Sequence, residues 1–241
     1  VARAARGAAT SGAPSPPAST LKFEVQDDKA QLARRQGPLA LFEALVSGGQ
    51  LHDDAEQRRV LGYLNAVYHN AGQGTTRGLY LYGSVGCGKT MSMDLFYESI
   101  QGAPNLRVDR KHFHEFLHDV QVQLHRLKQQ GVKAGDERSP VERVGEIIAD
   151  RTDVLCFDEF AVTTIQDCVL LMPLFSVIFQ RGVLVVATSN RAPEDLYSDG
   201  LNRHLYFPPF LDLLEQNCKV HHLPTLTDYR ALQYENCSDA G

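Results

Sequence analysis

Gly83-Ser84-Val85-Gly86-Cys87-Gly88-Lys89-Thr90 reads G-x-x-x-x-G-K-T, and its surroundings decide the fold. The apolar run Gly78-Leu79-Tyr80-Leu81-Tyr82 precedes it and Met91 to Tyr97 reads as a helix after it. Strand, loop and helix are the setting a phosphate-binding P-loop needs. Glycines at 83, 86 and 88 let successive backbone N–H groups turn inward as an anion nest, and the helix adds its positive N-terminal end there. The expected cradle therefore comprises Gly83, Ser84, Val85, Gly86, Cys87, Gly88, Lys89, Thr90 and Met91. In such a cradle the Lys89 ammonium reaches the β- and γ-phosphates of ATP, and the Thr90 hydroxyl ligates Mg²⁺. The plain alternative is a glycine-rich turn ahead of a helix, which the flanking pattern disfavours.

A second apolar run, Val154-Leu155-Cys156-Phe157, ends in Asp158-Glu159. A strand ending in two acids beside a P-loop supplies the other half of an ATPase site. Asp158 is expected to hold the Mg²⁺ shell, and Glu159 to orient and deprotonate the attacking water, from a neighbouring strand tip. Alone, the same pattern is a strand and an acidic turn. A small-molecule kinase needs no such glutamate, because its nucleophile is a substrate hydroxyl. Val183 to Thr188 is an unbroken, β-branched apolar run, the signature of a central parallel strand, and it leads into Ser189-Asn190-Arg191. Asn190 at its carboxyl end fits a γ-phosphate or water sensor, or a turn-forming Asn. No N-K-x-D segment follows the strands, which disfavours GTP.

At 241 residues, the chain holds one α/β domain of ordinary size plus an N-terminal extension. Apolar content of 43%, charged content of 22% and a formal net charge of −5 describe a globular chain with no mark of a general polyanion binder, so nucleic acid is unsupported as a partner. The five cysteines are scattered with no C-x-x-C pair, arguing for a reducing compartment and against a disulfide framework or zinc site. The longest apolar run, Val169 to Phe179, is about half the ~20 residues needed to cross a bilayer, so the chain reads as soluble.

Val1 to Thr20 is rich in Ala, Ser, Gly and Pro, carries Arg3 and Arg6, and has no acid. It is expected to be disordered, as a flexible tail or as the remnant of an organelle transit peptide. Helical spacing then predicts two helices between Gly37 and Ala71, with Asp53 and Asp54 placed to start the second. This lead-in either covers a bound base or packs on the sheet. Leu106 to Phe113 is a further strand candidate, and His114 to Gln130 carries a helical apolar stripe. His112, His114, His118 and His125 raise the question of a metal; without a carboxylate-backed H-E-x-x-H pattern, solvated or packed imidazoles are the better reading. A helix over Pro140 to Asp150, one over Thr164 to Gln180 that Pro173 should kink or restart, a helix over Phe210 to Gln216 and a strand over Lys219 to Leu223 complete the alternation. Five strands alternating with helices predict a layered α/β fold with a parallel sheet.

With these motifs placed, the chain resembles the ZapE/Afg family of AAA-type ATPases, whose mitochondrial members include the LACE-type proteins. The resemblance runs from about residue 37 to residue 230. It is carried by Leu81 to Met91, by Cys156-Phe157-Asp158-Glu159-Phe160, by Ala187 to Tyr197, by Asp228-Tyr229-Arg230, and by His112-Phe113-His114 with the helix after it. It implies an AAA-type three-layer sandwich at 37–230, an extension at 1–36 and a tail at 231–241. It further implies Mg²⁺-dependent hydrolysis of ATP by a homo-oligomer, a hexameric ring, acting on protein clients. Mitochondrial protein turnover, in the matrix or with peripheral inner-membrane association, and cytoplasmic cell-division control as in bacterial members are both implied. Gly200-Leu201-Asn202-Arg203 is similar to the family's G-L-Q-R segment, making Arg203 the candidate arginine finger toward a neighbouring subunit, with Arg191 as runner-up; by spacing alone either is equally an ordinary surface arginine. The chain departs from the family at Pro173 and ends at Gly241, before the family's helical lid, so it is expected either to be a fragment or to lack that lid. Binding without efficient hydrolysis, as a nucleotide-gated adaptor, is the alternative this departure suggests.

Overall fold

The computed structural model describes residues 28–73, 76–130, 138–198 and 200–224. Residues 1–27 of the extension expected at 1–36, Asp228-Tyr229-Arg230, the tail at 231–241 and the question of a lid fall outside the described residues.

The extension expected at 1–36 is not disordered throughout: its last residues form a helix, α1 (Asp28–Gln36), ahead of the two that spacing predicts, α2 (Pro38–Ser47) and α3 (Ala55–Asn70). The carboxylate of Asp54 starts α3 by accepting from the Gln57 N–H at 2.9 Å. The chain continues through β1 (Gly78–Tyr82), α4 (Lys89–Ile100), β2 (Val108–His112), α5 (Phe113–Gln130), α6 (Pro140–Arg151) and β3 (Val154–Asp158). It then forms α7 (Ile165–Gln180), β4 (Leu184–Ser189), a 3-10 turn at Pro193–Asp195, α8 (Arg203–Tyr206), α9 (Pro208–Asn217) and β5 (Cys218–His222). A capping box of Thr164 and Asp167 starts α7, which runs on through Pro173 as one helix. Proline at 173 removes the bond to the Val169 carbonyl one turn back, and Val169 lies on the exposed side of the helix, where water can replace it.

The five strands are parallel in the order β2-β3-β4-β1-β5. β4 thus separates the P-loop strand β1 from the acid strand β3, which the sequence had suggested were neighbours. The reason lies in β4 itself. Its Val185, Val186 and Ala187 are buried, so this run belongs at the middle of the sheet, with both backbone edges paired. Close approach fits it there: a Cβ at Gly78 would overlap the Val185 carbonyl, so β1 starts with the one residue that allows the pairing.

Alternation along the strands divides the core in two. Phe113, Phe157, Phe160, Phe175 and Phe210 fill the face covered by α5, α6, α7 and α9. Leu79, Leu81, Val154, Cys156 and Val186 face α1 to α4 on the other. The result is a three-layer α/β/α sandwich. α1 joins the second layer through buried Ala30 and an ion pair of Arg34 with Glu98 of α4 at 2.8 Å. Among the described residues, no helix is long and apolar enough to cross a membrane.

Phe160 ties the first core to the acid strand. Its ring stacks on Phe113 at 3.8 Å and meets Tyr80 edge-on at 5.7 Å. Phe160→Ala is expected to lower stability by about 3–5 kcal/mol in urea unfolding, as for other buried large-to-small aromatic changes.

Candidate nucleotide site

Register brings the carboxyl ends of the strands level. Tyr82 of β1 pairs with Ser189 of β4, and His112 of β2 pairs with Asp158 of β3. The Gly83 N–H donates to the Ser189 carbonyl at 3.3 Å, binding the start of the P-loop to the end of β4. The segments after β1, β3 and β4 therefore leave the sheet along one edge, where ligands bind in open parallel sheets.

Two glycines of the loop lie in the left-handed region, Gly86 at φ 87° and Gly88 at φ 96°. A Cβ at Gly88 would come within 2.6 Å of Gln57 Nε2 at the start of α3, and one at Gly83 would overlap the Leu223 carbonyl. The lead-in helix thus abuts the loop itself. Ser84, Val85 and Thr90 are exposed, Gly86 and Gly88 partly so, while Gly83, Cys87, Lys89 and Met91 are buried. The Lys89 ammonium folds onto its own loop, donating to the carbonyls of Gly83 at 3.0 Å and Ser84 at 2.7 Å and lying 3.7 Å from Cys87 Sγ. Neutral carbonyls are weak partners beside a polyphosphate, whose charge-assisted bonds are roughly twice as strong.

Asp158 turns toward the α4 layer and meets a partner the motifs did not reveal. Arg110 of β2 grips it with both arms of its fork, Nε to Oδ2 at 2.7 Å and Nη2 to Oδ1 at 3.1 Å. The third nitrogen, Nη1, lies 2.6 Å from Oδ1 of Asp94 on α4, and the guanidinium rests 5.5 Å from the Tyr97 ring centre. All three charged side chains are buried. Burial pulls the Arg110 pKa down, yet hydrogen bonds and charges from Asp158 and Asp94 outweigh it and hold the guanidinium above its ordinary value. Burial pushes the Asp94 carboxyl up, against the opposing pull of Arg110. The sequence did carry one signal, a charged residue in a strand paired with the fully buried β3 and a lone acid between apolar neighbours of α4. It did not say that they meet.

Glu159 follows in a left-handed conformation, φ 55°, which a side chain adopts at a cost, and its N–H donates to Thr188 Oγ1 at 3.4 Å. It lines a cleft of about 390 Å³ together with His114, His118, Ser189, Asn190 and Arg191. Glu159 and Asn190 are thus brought together. Arg203 is not among the lining residues. It opens α8, donates to the carbonyls of Leu196 at 3.3 Å and of Glu194, and lies 4.9 Å from the centre of the Phe207 ring. His112 and His114 stack at 5.7 Å, and among the described residues no group of three or more His, Cys, Asp or Glu is placed to hold a metal.

The loop fits a triphosphate, with left-handed glycines at 86 and 88 and the exposed Thr90 hydroxyl on the first turn of α4; Asp158 ends β3 and Glu159 follows it at the same sheet edge, with both Asp158 oxygens held by Arg110. Thr90 and Asp158 would be the side chains to hold Mg²⁺, which would supply neutralisation of phosphate charge.

Solved structures share the fold. DnaI superposes with a TM-score of 0.55 at 15% identity, covering 82% of this chain and 92% of that one. AMPPCP-bound DnaA from Aquifex aeolicus gives 0.53 at 15% identity, covering 79% and 54%. Sequence likeness is closer elsewhere. The chain is 44% identical over 158 residues to lactation elevated protein 1 homolog B of Danio rerio, covering 64% of this chain and 31% of that protein. It is 43% identical over 154 residues to the cell division protein ZapE of Escherichia coli K12, covering 64% and 38%. The matched segment is about a third of each of these relatives. The profile of the AFG1-like ATPase family matches residues 19–238, and the chain belongs to that family.

Proposed function

We propose that this chain is the nucleotide-hydrolysing domain of a Mg²⁺-dependent ATPase that couples ATP turnover to the remodelling or turnover of protein clients. The observation that supports this most is a shared edge: the P-loop after β1, Asn190 after β4 and Asp158-Glu159 at the end of β3 all lie along the carboxyl edge of one parallel sheet. Backbone N–H groups of residues 84–90 and the Lys89 ammonium bind and orient the phosphates. Thr90 and Asp158 hold the metal. The Glu159 carboxylate accepts the proton of the attacking water, which Asn190 helps to position. Arg203 is proposed to act on the nucleotide of a neighbouring subunit in a hexameric ring. In that role it leaves the carbonyls that hold it within its own chain.

The proposed setting is mitochondrial, matrix or inner-membrane associated, with a cytoplasmic one as the alternative; relatives come from both a eukaryote, Danio rerio, and a bacterium, Escherichia coli. A second reading, a nucleotide-gated adaptor, draws on the internal contacts of Lys89 and Asp158, which must be given up before turnover. Phosphate release measured beside light scattering, with and without ATP, separates the two. Mg²⁺-dependent release together with a rise in mass is expected. Bound ATP without release would favour the adaptor, and a phosphorylated small product would overturn both.

A further inference from the structure

Arg110 joins β2, β3 and α4 at one point. From β2 it reaches the metal carboxylate of β3 and the helix that follows the P-loop, within a buried cluster of one cation and two carboxylates. Both oxygens of Asp158 are taken by the guanidinium fork. A carboxylate in that state has little to offer a divalent cation. Asp94 is the less fully used partner: wholly buried, it meets Arg110 Nη1 through Oδ1 alone at 2.6 Å, and its Oδ2 has no hydrogen-bond partner. It holds unused acceptor capacity beside the same guanidinium.

We propose that Arg110 is the resting counter-cation of Asp158: binding of the divalent cation requires the guanidinium to release Asp158 and settle on Asp94. This rests on the assignment of Asp158 to the metal. Charge makes the exchange reasonable. One cation against two buried carboxylates leaves a net negative charge, which an entering divalent ion offsets, whereas an unpaired buried charge would be costly. The hydrogen-bonding fork can move between two acceptors because one guanidinium spans both. The movement would also couple metal binding to α4, on which both Asp94 and the P-loop lysine sit. Arg110 is then a positioning residue that sets metal affinity.

Removing Arg110 alone leaves two buried carboxylates facing each other, so the test pairs Arg110→Met with Asp94→Asn, which removes one charge of each sign. Thermal unfolding and circular dichroism check the fold, and Arg110→Lys serves as a second variant that keeps the charge and loses the fork. Mn²⁺ binding is measured by electron paramagnetic resonance on the full chain with a non-hydrolysable ATP analogue, and analogue affinity is measured separately in EDTA. The expected result is Mn²⁺ affinity about tenfold tighter in the double variant, and tighter to a smaller degree in Arg110→Lys, the scale of one charge-assisted hydrogen bond no longer displaced. Metal-free analogue affinity should stay native, which a merely structural change would not spare. Native or weaker Mn²⁺ affinity in the folded variants overturns the counter-cation role alone. Native Mn²⁺ binding unaffected by Asp158→Asn overturns the metal role of Asp158, and this inference with it.

Discussion

Glu159→Gln is expected to bind ATP with native affinity while releasing phosphate about 10²–10⁴-fold more slowly, the usual worth of a positioned general base. The substitution keeps size and backbone demand alike, so the left-handed conformation at 159 and the bond from its N–H to Thr188 Oγ1 carry over. Only proton acceptance is lost. The cleft around the residue makes this a clean test, because Ser189, Asn190 and Arg191 line it independently of the glutamate's charge. Single-turnover phosphate release against equilibrium ATP binding distinguishes the outcomes. Native turnover in the variant would remove Glu159 from the chemistry and move attention to His114 and His118, which line the same cleft.

Lys89→Ala should weaken ATP binding by about 100-fold or more, the scale of two charge-assisted hydrogen bonds lost from a buried position. A structural contribution is also expected, since the ammonium ties the loop together through the Gly83 and Ser84 carbonyls. Lys89→Arg separates the two effects. It keeps the charge but presents a planar fork where the loop offers a narrow, buried slot, so affinity should stay well below native while the net charge is unchanged. Isothermal titration with Mg-ATP gives both values. Equal affinity for native chain and Lys89→Ala would mean that the nucleotide is held elsewhere.

The parts of this site that could be read from sequence are those whose physics is local. Glycine spacing at 83, 86 and 88 is dictated by backbone conformation, and Gly86 and Gly88 do adopt left-handed angles. The unbroken apolar run at 183–188 is legible because only a central strand buries both faces. Strand order is another matter: nothing in the periodicity of Val154 to Asp158 says that β4 will lie between it and β1. α1 escaped for a related reason. Its sequence, DKAQLARRQ, shows little apolar stripe, and it is held by contacts far along the chain, such as Arg34 with Glu98. Pro173 carries a strong local signal for a break, which the solvent-facing side of α7 makes tolerable. Arg110 lies 48 residues from Asp158, and such a pair has no motif at all.

The site is tested most directly by a crystal structure of the chain with Mg²⁺ and a non-hydrolysable ATP analogue. The triphosphate is expected within hydrogen-bonding distance of the backbone N–H groups of residues 84–90, with Lys89 Nζ drawn off the Gly83 and Ser84 carbonyls onto phosphate oxygen and the metal between Thr90 and Asp158. An analogue bound away from this loop, or a loop that keeps Lys89 on its own carbonyls at saturating ligand, would contradict it.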